Sequence, residues 1–215
     1  MNLQGVTSEQ LIALNCSYKS KDEAIRALIE KLYKEKKIQS KEDFYHAVKE
    51  RERLSATGID KGIAIPHGKS KTVNAAAFAF ASIKEPIEDW ESLTPDNKVR
   101  YVFLLAIPEA EAGSTHLELL AELMTKISDH RYLENLLSSQ TSQEFYKNLS
   151  YEPVKADANK TYKKSIVAVT ACPAGIAHTY MAAEALVLAG EEMGVKVYVE
   201  NRGQMAWRAA TPQST

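Results

Sequence analysis

The sequence predicts an α/β chain: a mixed sheet flanked by helices over residues 1–150, then a truncated βαβ portion of a parallel-sheet domain from residue 164. Three observations carry this. Short apolar runs bounded by proline and glycine alternate with amphipathic helical patterns up to residue 150. Residues 151–163 (YEPVKADANKTYK) are polar, contain Pro153 and lack an apolar period, which marks a linker. After it, a strand, a glycine-containing loop, a helix and a second strand follow in the order of one βαβ unit.

Leu11–Leu14 reads as a short first strand. Ser20 with Glu23 forms a capping box, and Ala24, Leu28, Ile29 and Leu32 repeat at helical spacing behind it. Ser40 and Asp43 open a second helix with Phe44, Val48 and Ala47 on its inner face. Gly58 and Gly62 bracket a turn, and Ile63–Ile65 is a strand stopped by Pro66. Residues 75–83 (AAAFAFASI) form an apolar strand, and Pro86, Pro95 and Asp96-Asn97 mark the loops after it. Residues 99–107 (VRYVFLLAI) read as a buried strand ended by Pro108. Thr115 with Glu118 forms another capping box, which puts His116 in the first turn of a helix with Leu117, Leu120, Ala121 and Met124 as its core stripe. Asp129–Leu137 and Thr141–Leu149 are two further helices. Beyond the linker come a strand at Ser165–Thr170, a loop at Cys172–Ala177, a helix from His178 to Met193 stopped by Gly194, and a strand at Val195–Glu200. One crossover and two strands are too little for a complete parallel sheet, so the second domain is expected to be incomplete.

Bulk composition excludes several classes. A formal net charge of −1 gives no support for a nucleic-acid binder, which carries a basic surplus. No run approaches the roughly 20 apolar residues that span a bilayer, and the N-terminus lacks a secretory pattern. The two cysteines, Cys16 and Cys172, lie far apart, which fits free thiols in a reducing compartment.

Two short segments carry chemistry. His67 follows a strand and Pro66 and precedes Gly68, so its imidazole is held at a strand end with little freedom. A neutral imidazole offers one unprotonated nitrogen to a phosphoryl group. His116, at a helix start beside unpaired N–H donors, is placed to support added negative charge. The alternative is that both histidines are ordinary, partly buried residues, a reading that the bare pattern favours more for His116 than for His67. Arg51 and Arg53 lie on the charged side of the second helix, as phosphate-neutralising cations or as solvated charges. His46 and His130 default to structural positions. No CxxC or HExxH pattern joins His67 to His116, so neither a metal site nor a cofactor is assigned.

Cys172 ends a strand just before a helix, a setting that lowers a thiol pKa and stabilises phosphate on sulfur. The alternative is a buried cysteine beside a helix-starting loop. A cysteine phosphatase needs an arginine after five residues, and His178 stands there instead. Thr179 serves as a phosphate ligand or as a helix cap. Gly175 opens no Walker A loop.

Gly62–Gly68, Arg51, the Ser55-Ala56-Thr57-Gly58 approach and the Thr115–Glu118 helix start closely resemble the fructose-family enzyme IIA domain of the bacterial sugar phosphotransferase system. Residues 167–186 (VAVTACPAGIAHTYMAAEAL) are similar to the start of a fructose-type enzyme IIB domain. The resemblance implies a IIA-like mixed sheet over residues 1–150, a linker over 151–163 and a partial IIB domain with an atypical tail over 164–215. It implies a phosphorelay in which phosphorylated HPr, or an HPr-like domain, donates to His67, and His67 passes the group to a IIB cysteine. Membrane-embedded enzyme IIC would then carry the sugar, fructose or a related one, and the chain would be cytoplasmic and membrane-associated through IIC. In this reading His116 supports phospho-His67, while Arg51 and Gly68 belong to its phosphate site. Thr170, Ala174, Gly175, Ile176, Ala177, His178 and Thr179 would surround phospho-Cys172, and an intact IIB domain is a further partner. A phosphorylation-sensing regulatory module not coupled to transport is the alternative.

Overall fold

The computed structural model describes residues 3–111, 115–151, 164–171, 182–183, 185–187, 189–190 and 193–202, with side chains omitted at 111–118, 171 and 200–202. The chain divides into two compact units, Met1–Glu122 with Glu134–Tyr151, and Leu123–Leu133 with Glu152–Thr215.

The first unit is built on a five-stranded mixed sheet. Strand β1 (Ile12–Cys16) runs parallel to β4 (Ala77–Ile87), and β4 is antiparallel to β5 (Val99–Pro108). On the other side of β5, β2 (Ile63–Ala64) and β3 (His67–Ser70) pair with it in parallel, one after the other. The central β5 is buried almost throughout, which explains its continuous apolar run. Two helices, α1 (Lys21–Lys34) and α2 (Lys41–Leu54), contribute Ala24, Ile25, Leu28, Leu32, Phe44 and Val48 to a core shared with Ala79, Ala81, Val102 and Leu104. A second aromatic cluster joins Phe80 to Phe103 at 4.7 Å and to Phe145 at 4.1 Å between ring centroids. Phe145 lies on α5 (Ser142–Asn148), capped by Thr141.

Local chemistry explains the helix starts. Ser20 and Ser40 accept from the backbone N–H of Glu23 and Asp43. Glu23 reaches back to Lys19 N at 2.8 Å rather than to Ser20 N, so the box closes one residue earlier than its pattern implies. Three details differ from the sequence reading. The segment before β1 folds as two 3-10 turns, Leu3–Val6 and Glu9–Leu11. Pro66 interrupts a strand without ending its course, because pairing with β5 resumes at His67. Pro86 falls inside β4, where the register shifts between Ser82 and Ile87, so the missing N–H breaks no regular ladder.

Helix α3 (Thr115–Ser128) begins at the expected place, while the side chains of Thr115 to Glu118 lie outside the described residues. Asp129 Oδ1 accepts from Tyr132 N at 2.9 Å and caps α4 (His130–Leu137). Strands β6 (Lys164–Ala171) and β7 (Val195–Arg202) pair in parallel from Lys164↔Val195 to Ala171↔Arg202. Of the described residues between them, 182–183, 185–187 and 189–190 are helical and 193–194 form a turn. Parallel pairing across a helical crossover is the expected βαβ arrangement. The linker segment 152–163 lies outside the described residues. No helix among the described residues is long and apolar enough to cross a membrane.

Candidate functional site: the His67 pocket

His67 opens β3 and is only 7 % exposed. Its placement comes from the backbone on both sides. Gly62 takes φ +74° in the turn before β2, a conformation a β-carbon disfavours. The Asn97 side chain accepts from Gly62 N at 2.7 Å and pins that turn. Ile65 N then donates to Thr57 O at 2.9 Å, and Leu105 N donates to Pro66 O at 3.0 Å. The two residues before His67 are therefore tied to the 55–58 loop and to the central strand.

Gly68 sets the distance between β3 and α2. A β-carbon there would lie 2.9 Å from Val48 Cγ2, 3.0 Å from Val48 N and 3.2 Å from Phe44 Cε2. With α2 this close, the next turn after Val48 brings Arg51 to the imidazole. Arg51 Nε donates to His67 Nε2 at 2.8 Å, and its Nη1 donates to both Ser55 O and Ser55 Oγ at 3.1 Å. Burial lowers the Arg51 pKa, against the opposing pull of the Glu52 carboxylate.

The ring hydrogen bonds assign the tautomer. A guanidinium nitrogen only donates, so Nε2 must carry a lone pair. Nδ1 then carries the proton and donates to Ile65 O at 2.9 Å. The imidazole is thus held with a nucleophilic Nε2 facing a cation. Such a pair suits an incoming anion, since Arg51 is already beside the atom that would receive it.

The structure separates the two arginines that the charge pattern leaves equivalent. Arg51 is half-buried against His67, whereas exposed Arg53 pairs with Glu50 at 2.9 Å. His116 is in the first turn of α3, with its side chain outside the described residues. Thr170 is buried near the end of β6. Cys172, Ala174, Gly175, Ile176, Ala177, His178 and Thr179 all lie outside the described residues. Motif reasoning misses the Ile65 carbonyl that orients the ring and the Ser55 group that braces Arg51. One signal for Arg51 is present: Phe44, Val48 and position 51 fall on one helical face. Among the described residues no group of three or more His, Cys, Asp or Glu is placed to hold a metal ion.

The mixed sheet and its flanking helices define a phosphotransferase-type domain of the EIIA kind. The chain belongs to the phosphoenolpyruvate-dependent sugar phosphotransferase system EIIA 2 family, whose model matches residues 6–152. Residues 167–211 match a second family, the lactose/cellobiose-specific IIB subunit of the same system, so an EIIA domain is followed by a IIB-type domain. The chain is 44 % identical over 204 residues to the 2-O-alpha-mannosyl-D-glycerate-specific EIIABC component of Escherichia coli, covering 94 % of this chain and 31 % of that protein. It is 34 % identical over 212 residues to the fructose-specific EIIABC component of Bacillus subtilis, covering 94 % and 33 %. The chain thus spans about a third of the length of these relatives. Among solved structures, the nitrogen regulatory protein IIA-Ntr of Neisseria meningitidis superposes with a TM-score of 0.60 at 30 % identity, over 68 % of this chain and 98 % of that one. IIA mannitol of Escherichia coli superposes with a TM-score of 0.56 at 25 % identity, over 66 % and 98 %. The similarities span several sugar specificities and a nitrogen-regulatory protein, and they do not single out fructose.

Proposed function

We propose that this chain accepts a phosphoryl group on Nε2 of His67 from a phosphohistidine donor, phosphorylated HPr or an HPr-like domain. The observation that carries the reading is the Arg51 Nε to His67 Nε2 hydrogen bond, which leaves the proton on Nδ1. The Nε2 lone pair attacks phosphorus, the donor's P–N bond breaks, and its electron pair returns to the donor imidazole. No proton has to leave His67. Its Nδ1–H stays bonded to the Ile65 carbonyl, which stabilises the positive charge the ring acquires. Arg51 turns from the ring nitrogen to the phosphoryl oxygens while Ser55 keeps one edge of its guanidinium in place. Gly68 contributes by letting α2 approach, and His116 at the start of α3 is assigned the role of a second phosphate-supporting group.

Two uses of the phosphorylated domain follow. The similarity to nitrogen regulatory IIA proteins favours a regulatory module whose phosphorylation state is sensed and which is not coupled to transport. The IIB-type segment and the EIIABC relatives support the other use, transfer onward to a IIB cysteine and, through membrane-embedded IIC, to fructose or a related sugar. In that second use Cys172 is the acceptor, with Thr170, Ala174, Gly175, Ile176, Ala177, His178 and Thr179 around its phosphate.

The test is phosphorylation by purified HPr and its upstream phosphodonor. Acid-labile label on the wild-type chain, absent from His67→Ala, is the expected result. Equal labelling of the His67→Ala chain contradicts it. Chasing the label with an intact IIB domain and sugar then separates the uses: label that moves to cysteine and sugar supports transport, and label that stays on His67 supports regulation.

A further inference from the structure

Directly behind Arg51 lies a buried acid that the phosphoryl-acceptor site does not use. Glu52 follows Arg51 on α2, its side chain is only 5 % exposed, and neither carboxylate oxygen has a hydrogen-bond partner among the described residues beyond one cation. That cation is Lys21, whose Nζ lies 2.5 Å from Glu52 Oε2 and whose own side chain is 12 % exposed. Lys21 is a poor choice for its helix, since a positive charge in the first turn of α1 opposes the helix dipole. The surroundings are built to keep it there. Glu91 pairs with the same ammonium at 2.5 Å, the Trp90 ring centroid is 5.7 Å away, and Asp89 Oδ1 accepts from Lys21 N at 3.3 Å. Burial lowers the Lys21 pKa, but the Glu52 and Glu91 carboxylates more than reverse this, and the net shift is upward.

The same loop reaches the phosphoryl-acceptor site. Trp90 Nε1 donates to Thr57 Oγ1 at 3.1 Å, Gly58 N donates to Glu91 O at 3.1 Å, and Leu93 N donates to Gly58 O at 2.8 Å. Thr57 in turn accepts from Ile65 N, two residues before His67. Lys21 therefore joins α1, the end of α2 and the loop that borders the His67 pocket.

We propose that Lys21 is a positioning residue for phosphoryl acceptance: by holding the buried Glu52 carboxylate, it leaves the Arg51 guanidinium committed to His67. The inference rests on the reading of His67 as the acceptor. Without Lys21, Glu52 is a buried anion lacking its cation, and removal of one partner from a buried pair is costly. Arg51, which already interacts electrostatically with Glu52, is then drawn toward it, at the expense of its bond to His67 Nε2. Lys21 touches neither the ring nor the phosphoryl group in this scheme.

The experiment compares wild type, Lys21→Met, Glu52→Gln and the Lys21→Met/Glu52→Gln double variant. It measures labelling rate by phosphorylated HPr, melting temperature, and the ¹⁵N resonances of the His67 ring and Arg51 Nε. Lys21→Met is expected to slow labelling by about tenfold or more and to shift the His67 Nε2 resonance as its Arg51 bond is lost. Glu52→Gln and the double variant are expected to stay within about threefold of wild type, because no buried charge then competes for Arg51. If Lys21→Met does not fold, Lys21→Gln with and without Glu52→Gln carries the same contrast. A wild-type rate in the single lysine variant overturns the proposal, and so does slow labelling that Glu52→Gln fails to rescue. Failure of the acceptor reading shows separately, as a wild-type chain that takes no label or an equally labelled His67→Ala chain. The ¹⁵N signals then still report whether Lys21 governs the Arg51–His67 bond, and an unshifted Nε2 in Lys21→Met overturns it.

Discussion

Arg51 Nε lies 2.8 Å from His67 Nε2, and this contact decides which ring nitrogen is nucleophilic. It spans two elements, the last turn of α2 and the first residue of β3. Its energy and its chemistry are linked: the guanidinium that stabilises the neutral ring is also the cation beside the nitrogen proposed to accept the phosphoryl group. Replacing Arg51 by Ala is expected to slow labelling of His67 about 10- to 100-fold, the equivalent of one lost charge-assisted hydrogen bond of roughly 1.5–3 kcal/mol. Arg51→Lys is expected to recover only part of this, because an ammonium cannot serve Nε2 and Ser55 through one planar fork. Initial rates with phosphorylated HPr check both. A wild-type rate in Arg51→Ala contradicts the assignment.

Gly68 is the structural condition for that contact. A β-carbon would meet Val48 at 2.9 Å on its side chain and at 3.0 Å on its backbone nitrogen. Gly68→Ala is expected to destabilise the fold by about 1–3 kcal/mol through overpacking and to slow labelling by moving α2 away from β3. Adding Val48→Ala removes the side-chain clash but not the backbone one, so only partial recovery is expected. Denaturant melts and labelling rates on the same samples check this.

The aromatic cluster around Phe80 separates stability from chemistry. Its ring stacks on Phe145 at 4.1 Å and meets Phe103 at 4.7 Å, and none of the hydrogen bonds described for Arg51 and His67 involves it. Phe80→Ala is expected to cost about 3–5 kcal/mol of stability. Below its melting transition the labelling rate should remain close to wild type. A rate loss in fully folded protein would show that this cluster also shapes the site.

The α1–α2 seam should weaken in acid. The hydroxyl of Tyr45 donates to Asp22, and Arg26 pairs with the same carboxylate at 2.9 Å, so the Asp22 pKa is lowered. A depressed carboxylate stabilises the fold above its unfolded pKa of about 4, and that contribution is lost as the pH falls below it. The Asp22 side chain is 46 % exposed, so the contribution is about 0.2–1 kcal/mol. Asp22→Asn should therefore lower the melting temperature slightly at pH 7 and by less at pH 3. An equal loss at both values would contradict the electrostatic origin.

Much of the first unit is legible from local signals. Ser20, Ser40 and Thr141 start helices because their hydroxyls take an unpaired N–H, and that requirement is visible in a short window of sequence. The run at 99–107 shows a buried strand for a similar reason, because a strand covered on both faces needs no polar alternation. The strand bounds around proline are less legible: His67 pairs with Leu105 and Pro86 sits within an irregular register, and both depend on a partner far away in sequence. Arg51 looks like one member of a solvated Glu-Arg-Glu-Arg run. Its role depends on how closely α2 approaches β3, which Gly68 permits but does not announce. Lys21 and Glu52 are hidden for the same reason, since their pairing depends on two helices and a distant loop meeting.

The most direct test of the account is ³¹P and ¹⁵N NMR of the phosphorylated, ring-labelled chain. The expected result is a phosphorus resonance coupled to Nε2 of His67, with Nδ1 still protonated toward Ile65. Phosphorus on Nδ1, or on another residue while His67 stays unmodified, would contradict it.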